Sequence, residues 1–257
     1  MIEKINSFTY AYYIAILKHL KKNYTITSFN HLNHTSQPYV ILRHDIDASL
    51  DYALDMARLE NSLGISSTYF ILFSHKLYNV FEKESYNKLL KISNLGHEIG
   101  LHYDLSVYDA YDINYNNCLD VEIQLLKHLI KKEIRSISIH NPTITNKQDP
   151  FRLSDKYLNA YDNKFFDLYV SDSCRSWYIN DIENLFSSKY DRIQLVIHPF
   201  LWKADEVKRK DVLEALFSTI SSENEQYKCR WMHLWESQDK VISYENVLKR
   251  MHIKKTK

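Results

Sequence analysis

Pro38-Tyr-Val-Ile-Leu-Arg-His-Asp-Ile-Asp47 and Gly96-His-Glu-Ile-Gly-Leu-His102 are the two runs from which the fold of this chain is read. Pro38 to Leu42 is continuous, apolar and partly β-branched rather than alternating, the pattern of a strand buried on both faces. It delivers Asp45 and Asp47 to its C-terminal end. The second run makes a strand from Glu98 to Tyr103 that ends in His102. Between them Ser49 can cap a helix with Leu50, Ala53, Leu54 and Ala57 at i, i+3, i+4 and i+7, until Gly64 stops it. A further strand over Ser67 to Phe73 and a helix over about 83–93 complete the segment. The chain has three glycines, Gly64, Gly96 and Gly100, all in this window, so each is expected to serve a backbone geometry that other residues resist.

Upstream, residues 9 to 22 carry Tyr10, Tyr13, Ile14, Ile16 and Leu17 at helical spacing after a candidate cap, Ser7, and a polar stretch then leads to Pro38. Downstream, Asn116 to Lys132 is a helical pattern through Leu119, Ile123, Leu126 and Ile130. Strands are expected at Arg135–His140, Phe166–Ser171 and Ile193–Ile197, then a helix at about 205–221 and a last strand near Cys229–Leu234. Strand and helix alternating without Gly/Ser-rich linkers predicts an α/β chain with a parallel sheet and right-handed crossovers, open or closed into a barrel. The expected organisation is a single domain over 1–257. It comprises an N-terminal helical extension (1–37), the motif-bearing core (38–203), and a C-terminal helix and tail (204–257).

With 45% hydrophobic and 25% charged residues the 257-residue chain has the composition of a globular protein, and a formal charge of +1 gives no global basis for nucleic-acid binding. No apolar run reaches the roughly 18 residues that span a bilayer. Three widely spaced cysteines suggest neither a disulfide framework nor a zinc knuckle. The first residues lack the apolar core of a signal peptide, so a cytoplasmic location is expected.

In parallel α/β architectures chemistry is built where strands end. Here such ends carry Asp45 and Asp47, His102, His140, Asp172 and His198. Imidazole plus carboxylate suits Zn²⁺ or a similar divalent transition metal, with a position left open for water. Asp45 and Asp47, two apart on an extended segment, face one side while Ile46 faces the other. One can bind metal and the other can take a proton.

These residues resemble the polysaccharide deacetylase (NodB-homology, carbohydrate esterase family 4) superfamily, and within it the Arg-His-Asp-x-Asp branch found near bacterial surface-polysaccharide gene clusters. The resemblance spans about residues 39 to 203. It rests on Leu42-Arg-His-Asp-Ile-Asp47, Gly64-Ile-Ser-Ser-Thr-Tyr-Phe70 and Gly96-His-Glu-Ile-Gly-Leu-His102, with weaker matches at Ser171-Asp172-Ser173 and Leu195-Val-Ile-His-Pro199. It implies a distorted (β/α)7, TIM-like barrel. It also implies Asp45 as general base, Asp47 and His102 as metal ligands and His198 as general acid, with Asp172 either orienting His198 or closing a turn. The sequence departs from the family in two places: Ser106 stands where the second ligand histidine belongs, and the third motif lacks its arginine. His140 is therefore expected as third ligand, with Asp104 in reserve, and Arg43 or Arg175 as contacts to a carboxylate or the substrate. Trp177 and Trp202 are sugar platforms or core; His44 and His97 are read as structural. The implied activity is metal-dependent removal of an acetyl group, N-acetyl before O-acetyl, from a nucleotide- or lipid-linked sugar of surface-polysaccharide synthesis. The alternatives are a degenerate carbohydrate- or partner-binding member, or a metal hydrolase of other specificity.

Overall fold

The computed structural model describes residues 8–74, 76–109, 115–142, 155–173, 181–202 and 209–241. The first helix, α1 (Tyr10–Leu20), is capped by Thr9, whose hydroxyl accepts from Tyr12 N at 3.2 Å; the expected cap, Ser7, lies outside the described residues. The polar stretch that follows holds a short strand, β1 (Thr25–Thr27), and a 3-10 turn at Phe29–His34, neither of which was anticipated. β1 pairs with the first residues of β2 (Tyr39–Ile46), every residue of which is buried.

Strand and helix then alternate as the sequence predicts: α2 (Leu50–Ser62), β3 (Thr68–Leu72), α3 (Lys83–Asn94), β4 (Glu98–Tyr103), α4 (Ser106–Asp109), α5 (Tyr115–Ile130), β5 (Ser136–Ile139), β6 (Leu158–Asn159), β7 (Leu168–Ser171), α6 (Asp181–Phe186) and β8 (Arg192–Ile197). All pairings are parallel and the order is β6-β5-β4-β3-β2-β8-β7, with β1 beside the start of β2. This is a distorted (β/α)7 barrel; among the described residues no ladder joins β6 to β7. Aromatic side chains bridge that gap instead. Tyr161, just past β6, stacks on Tyr169 of β7 with centroids 6.2 Å apart.

Strand alternation sorts the side chains. Val40, Leu42 and Ile46 face the helices, whereas Tyr39, Ile41, Arg43 and Asp45 face the barrel interior, where Tyr39 and Ile41 pack with Phe29, Phe70 and Ala160. Outside, α2, α3 and α5 cover β3 to β5, and α1 with Trp202 covers β2, β7 and β8. Each fully buried Leu or Ile contributes about 1.5–3 kcal/mol, so both layers hold the strand ends in fixed positions. Two glycines earn their place by geometry. Gly64 has φ +66° and ends α2, with Ile65 N donating to Glu60 O at 2.9 Å. A Cβ on Gly100 would lie 2.5 Å from Phe70 Cε1, so only glycine lets that ring cross β4.

The chain divides into two compact units, Met1–Val212 and Leu213–Lys257. Among the described residues every strand belongs to the first. The second consists, in its described residues, of the continuation of α7 (Arg209–Val241). The expected helix end near Ser221 and strand at Cys229–Leu234 are corrected: the segment is helical throughout. From 209 to 241 there is neither Gly nor Pro, and Ile220, Tyr227 and Trp231 keep a helical spacing that a six-residue window conceals. Among the described residues no helix is long and apolar enough to cross a membrane.

Candidate active site

Asp47 follows the last residue of β2, His102 is the penultimate residue of β4, and His140 follows the last residue of β5. The three meet. Asp47 Oδ1 is 3.2 Å from His102 Nε2 and 3.5 Å from His140 Nδ1, and the two ring nitrogens are 3.1 Å apart. In a tetrahedral site with bonds of about 2.0–2.1 Å, ligand atoms lie about 3.3–3.4 Å from one another, so this triangle has the edges that one divalent ion requires. Two of the donors are also prepared for it. His102 Nδ1 lies 3.1 Å from Ser138 O, which fixes the tautomer with Nδ1–H donating and the Nε2 lone pair facing Asp47. Asp47 Oδ1 is buried and accepts no hydrogen bond. His140 Nε2 lies 2.9 Å from Asn141 Nδ2, so a metal at His140 Nδ1 requires that amide to turn and present its oxygen to Nε2–H; Asn141 takes φ +43°, a left-handed conformation that Asn tolerates better than most residues.

Asp45 stands beside this triangle, its Oδ2 3.9 Å from His102 Nε2. Arg43 Nη2 donates to the same oxygen at 3.0 Å, and Ser138 Oγ lies 3.4 Å away. Burial raises the Asp45 pKa, but the Arg43 charge, helped by His102 and His198, outweighs it and holds the carboxyl below its ordinary value. Arg43 is itself fully buried, its guanidinium 4.7 Å from the Tyr161 ring and 5.9 Å from that of Tyr169. Of the two contacts expected of Arg43, a carboxylate or the substrate, the carboxylate is the one found and the burial of the guanidinium corrects the other: alternation turns residues 43 and 45 into the barrel together, so the cation steadies Asp45.

On the other side is His198, just past β8, with Nε2 3.7 Å from Asp47 Oδ2. Asp172, fully buried just past β7, grips it twice: the carboxylate accepts from His198 N at 2.9 Å and lies 2.6 Å from Nδ1. Burial opposes charge on this imidazole, yet the Asp172 carboxylate, with Asp47 and Asp45, pushes its pKa up to about 10. Asp172 also accepts from the Trp202 indole N–H. Trp202 is 0% exposed and packs edge-on against Phe8 and Tyr13, at 4.9 and 5.3 Å. It offers no face to a sugar, which corrects that reading; what it does is hold Asp172.

The reserve ligand is not brought in. Asp104 Oδ1 accepts from Ser106 N and Oγ at 2.9 and 2.6 Å, the ordinary capping arrangement for a short helix, and Ser106 is exposed. His44 faces the helix layer, with Nε2 2.7 Å from Glu60 Oε1, and His97 bridges Ala57 O and Ser67 N, so both serve packing. Arg175 and Trp177 lie outside the described residues. Three contributors were not singled out from the sequence: Ser138, Asn141, and Tyr78, whose hydroxyl donates to Ile46 O and accepts from Leu72 N, joining the ends of β2 and β3. Ser138 was legible, because in Ser136-Ile-Ser-Ile139 the serines share the face opposite the isoleucines.

No family model and no curated protein matches the chain. Among solved structures, a CE4 family pseudoenzyme from Bacillus anthracis is similar at 11% identity and TM-score 0.48, over 73% of this chain and 62% of its own. The present chain thus spans less than two thirds of that protein's length. The peptidoglycan deacetylase PdaC from Bacillus subtilis is similar at 12% identity and TM-score 0.44, over 80% and 98%. The chitin deacetylase from the fungal pathogen Colletotrichum lindemuthianum is similar at 12% identity and TM-score 0.41, over 72% and 84%. At likenesses this low, function has to be read from the residues themselves.

Proposed function

We propose that the chain is a metal-dependent hydrolase that removes an acetyl group, N-acetyl in preference to O-acetyl, from a sugar intermediate of surface-polysaccharide synthesis. The observation that carries the metal-dependent part is the Asp47–His102–His140 triangle, flanked by a carboxylate held anionic and an imidazole held protonated. The acetyl-sugar part rests on the motif resemblance.

Asp47 Oδ1, His102 Nε2 and His140 Nδ1 would hold the ion, with zinc the first candidate for a set of two imidazoles and a carboxylate. A metal there supplies a Lewis acid for the acyl oxygen and a water of lowered pKa. Asp45, kept anionic by Arg43, accepts the proton of the attacking water. His198, with its Nδ1 side fixed by Asp172, keeps a proton on Nε2 at neutral pH and gives it to the departing amine. Two titratable groups pushed in opposite directions on either side of one ligand triangle are the usual arrangement of a base and an acid. Asp172 and Trp202 are positioning residues behind the acid.

The test is release of acetate from a panel of N-acetylated and O-acetylated sugars, free, nucleotide-linked and lipid-linked, by protein loaded with zinc or cobalt. We expect release from at least one amino sugar and a loss of about 10²–10⁴-fold in Asp45→Asn. Metal-loaded protein that binds a sugar tightly, releases no acetate across the panel and binds equally well as Asp45→Asn would establish the non-catalytic reading.

A further inference from the structure

Beyond Val212 the described chain is one helix, and that helix carries an apolar stripe. Phe217, Tyr227 and Trp231 are 54%, 57% and 48% exposed, Leu213 and Ile220 are partly exposed, and the Tyr227 and Trp231 rings lie edge to face at 6.3 Å. The spacing alternates between four and three. Phe217, Asn224 and Trp231 recur every seven residues, as do Leu213, Ile220 and Tyr227, and Leu234 continues the second series in the sequence. A two-position seam of period 3.5 is the signature of a helix that pairs with another helix, narrower than the stripe with which a helix packs on a globular core.

We propose that α7 pairs antiparallel with α7 of a second copy of this chain. Side-chain size selects the direction. Antiparallel pairing sets one heptad series against the other, so Trp231 meets Ile220 of the second copy and Asn224 meets Tyr227 of the second copy, where the amide and hydroxyl can hydrogen-bond. Parallel pairing would stack Trp231 on Trp231 and Tyr227 on Tyr227, overfilling neighbouring layers. Charge selects the occupant. Glu223 and Arg230 flank the stripe at the same heptad position. In the antiparallel pair Glu223 of each copy comes beside Arg230 of the other, so the two-fold axis makes the contact twice. A helix whose flanking charges complement themselves under a two-fold rotation is suited to its own copy.

Sedimentation equilibrium of the full-length protein tests this. Wild type should be a concentration-dependent dimer. Trp231→Glu should be monomeric with an unchanged far-UV circular dichroism spectrum. Glu223→Arg, which places like charges at both flanking contacts, should weaken the dimer about tenfold or more. Glu223→Arg with Arg230→Glu should restore it to within about threefold, because both contacts are reversed together. A parallel pair sets Glu223 against Lys228 of the second copy, so the double variant would not be rescued. A monomer at every concentration, a dimer indifferent to Trp231→Glu, or a failure of the double variant to recover would each overturn the proposal.

Discussion

Arg43 and Asp45 show what a single strand residue decides. Two positions apart on β2, they turn to the same side, and the guanidinium meets the carboxylate at 3.0 Å with both side chains buried. The motif resemblance left the chain without the arginine expected of its third motif; Arg43, from the first, stands against the base instead. Its position was legible from alternation, since residues two apart on an extended segment face one side. Its role was not, because the pattern of one strand does not show that Tyr161 and Tyr169 lie against the cation and help to bury it. Removing that charge with Arg43→Gln leaves burial to dominate, and burial raises a carboxyl pKa. Asp45 must be ionised to accept a proton, so the acid limb of the kcat/KM profile should move to higher pH, by about 1–3 units. A pH–rate profile of the folded variant with an unmoved acid limb would contradict the pairing of Arg43 with the base.

At the scale of elements, periodicity was informative in proportion to length. β2, β4, α2, α3 and α5 stand close to where their apolar spacing puts them, whereas β6, two residues long, leaves no period to read. Trp202 was left open between core and sugar platform for a related reason. Its burial depends on Phe8, Tyr12 and Tyr13, some 190 residues earlier, which cover it only once α1 lies against β8. On α5, Glu122 gives a measurable consequence. Burial lifts its carboxyl, against the hydrogen bond from Tyr108 and with help from Asp104, from the ordinary 4.5 up to about 7. The folded chain therefore keeps a proton that the unfolded chain has already released. This group's stabilising effect is complete below about pH 4.5 and is lost as pH rises through 7, a decline of about 2–3 kcal/mol. Urea unfolding from pH 5 to 8 should show that decline, and Glu122→Gln should flatten it; equal slopes in both proteins would place the carboxyl in contact with water.

The whole barrel explains why residues scattered from 45 to 198 form one site. Parallel strands point their C-terminal ends the same way, so Asp47, His102, His140 and His198 converge although they come from four different strand ends. That convergence was readable from the sequence. The choice of His140 over Ser106 and Asp104 rested on elimination there and rests on distance here. Because the ion would bind the folded barrel and not the extended chain, its binding should raise the melting temperature as well as fill the site. The most direct measurement is the metal content of protein purified without chelator or metal-affinity resin and then titrated with Zn²⁺, for wild type, His140→Ala and Ser106→Ala. Near one equivalent is predicted in wild type and Ser106→Ala, with a raised melting temperature in both, and binding weaker by about 10²-fold or more in His140→Ala. A full equivalent retained at wild-type affinity in His140→Ala would contradict the site described here.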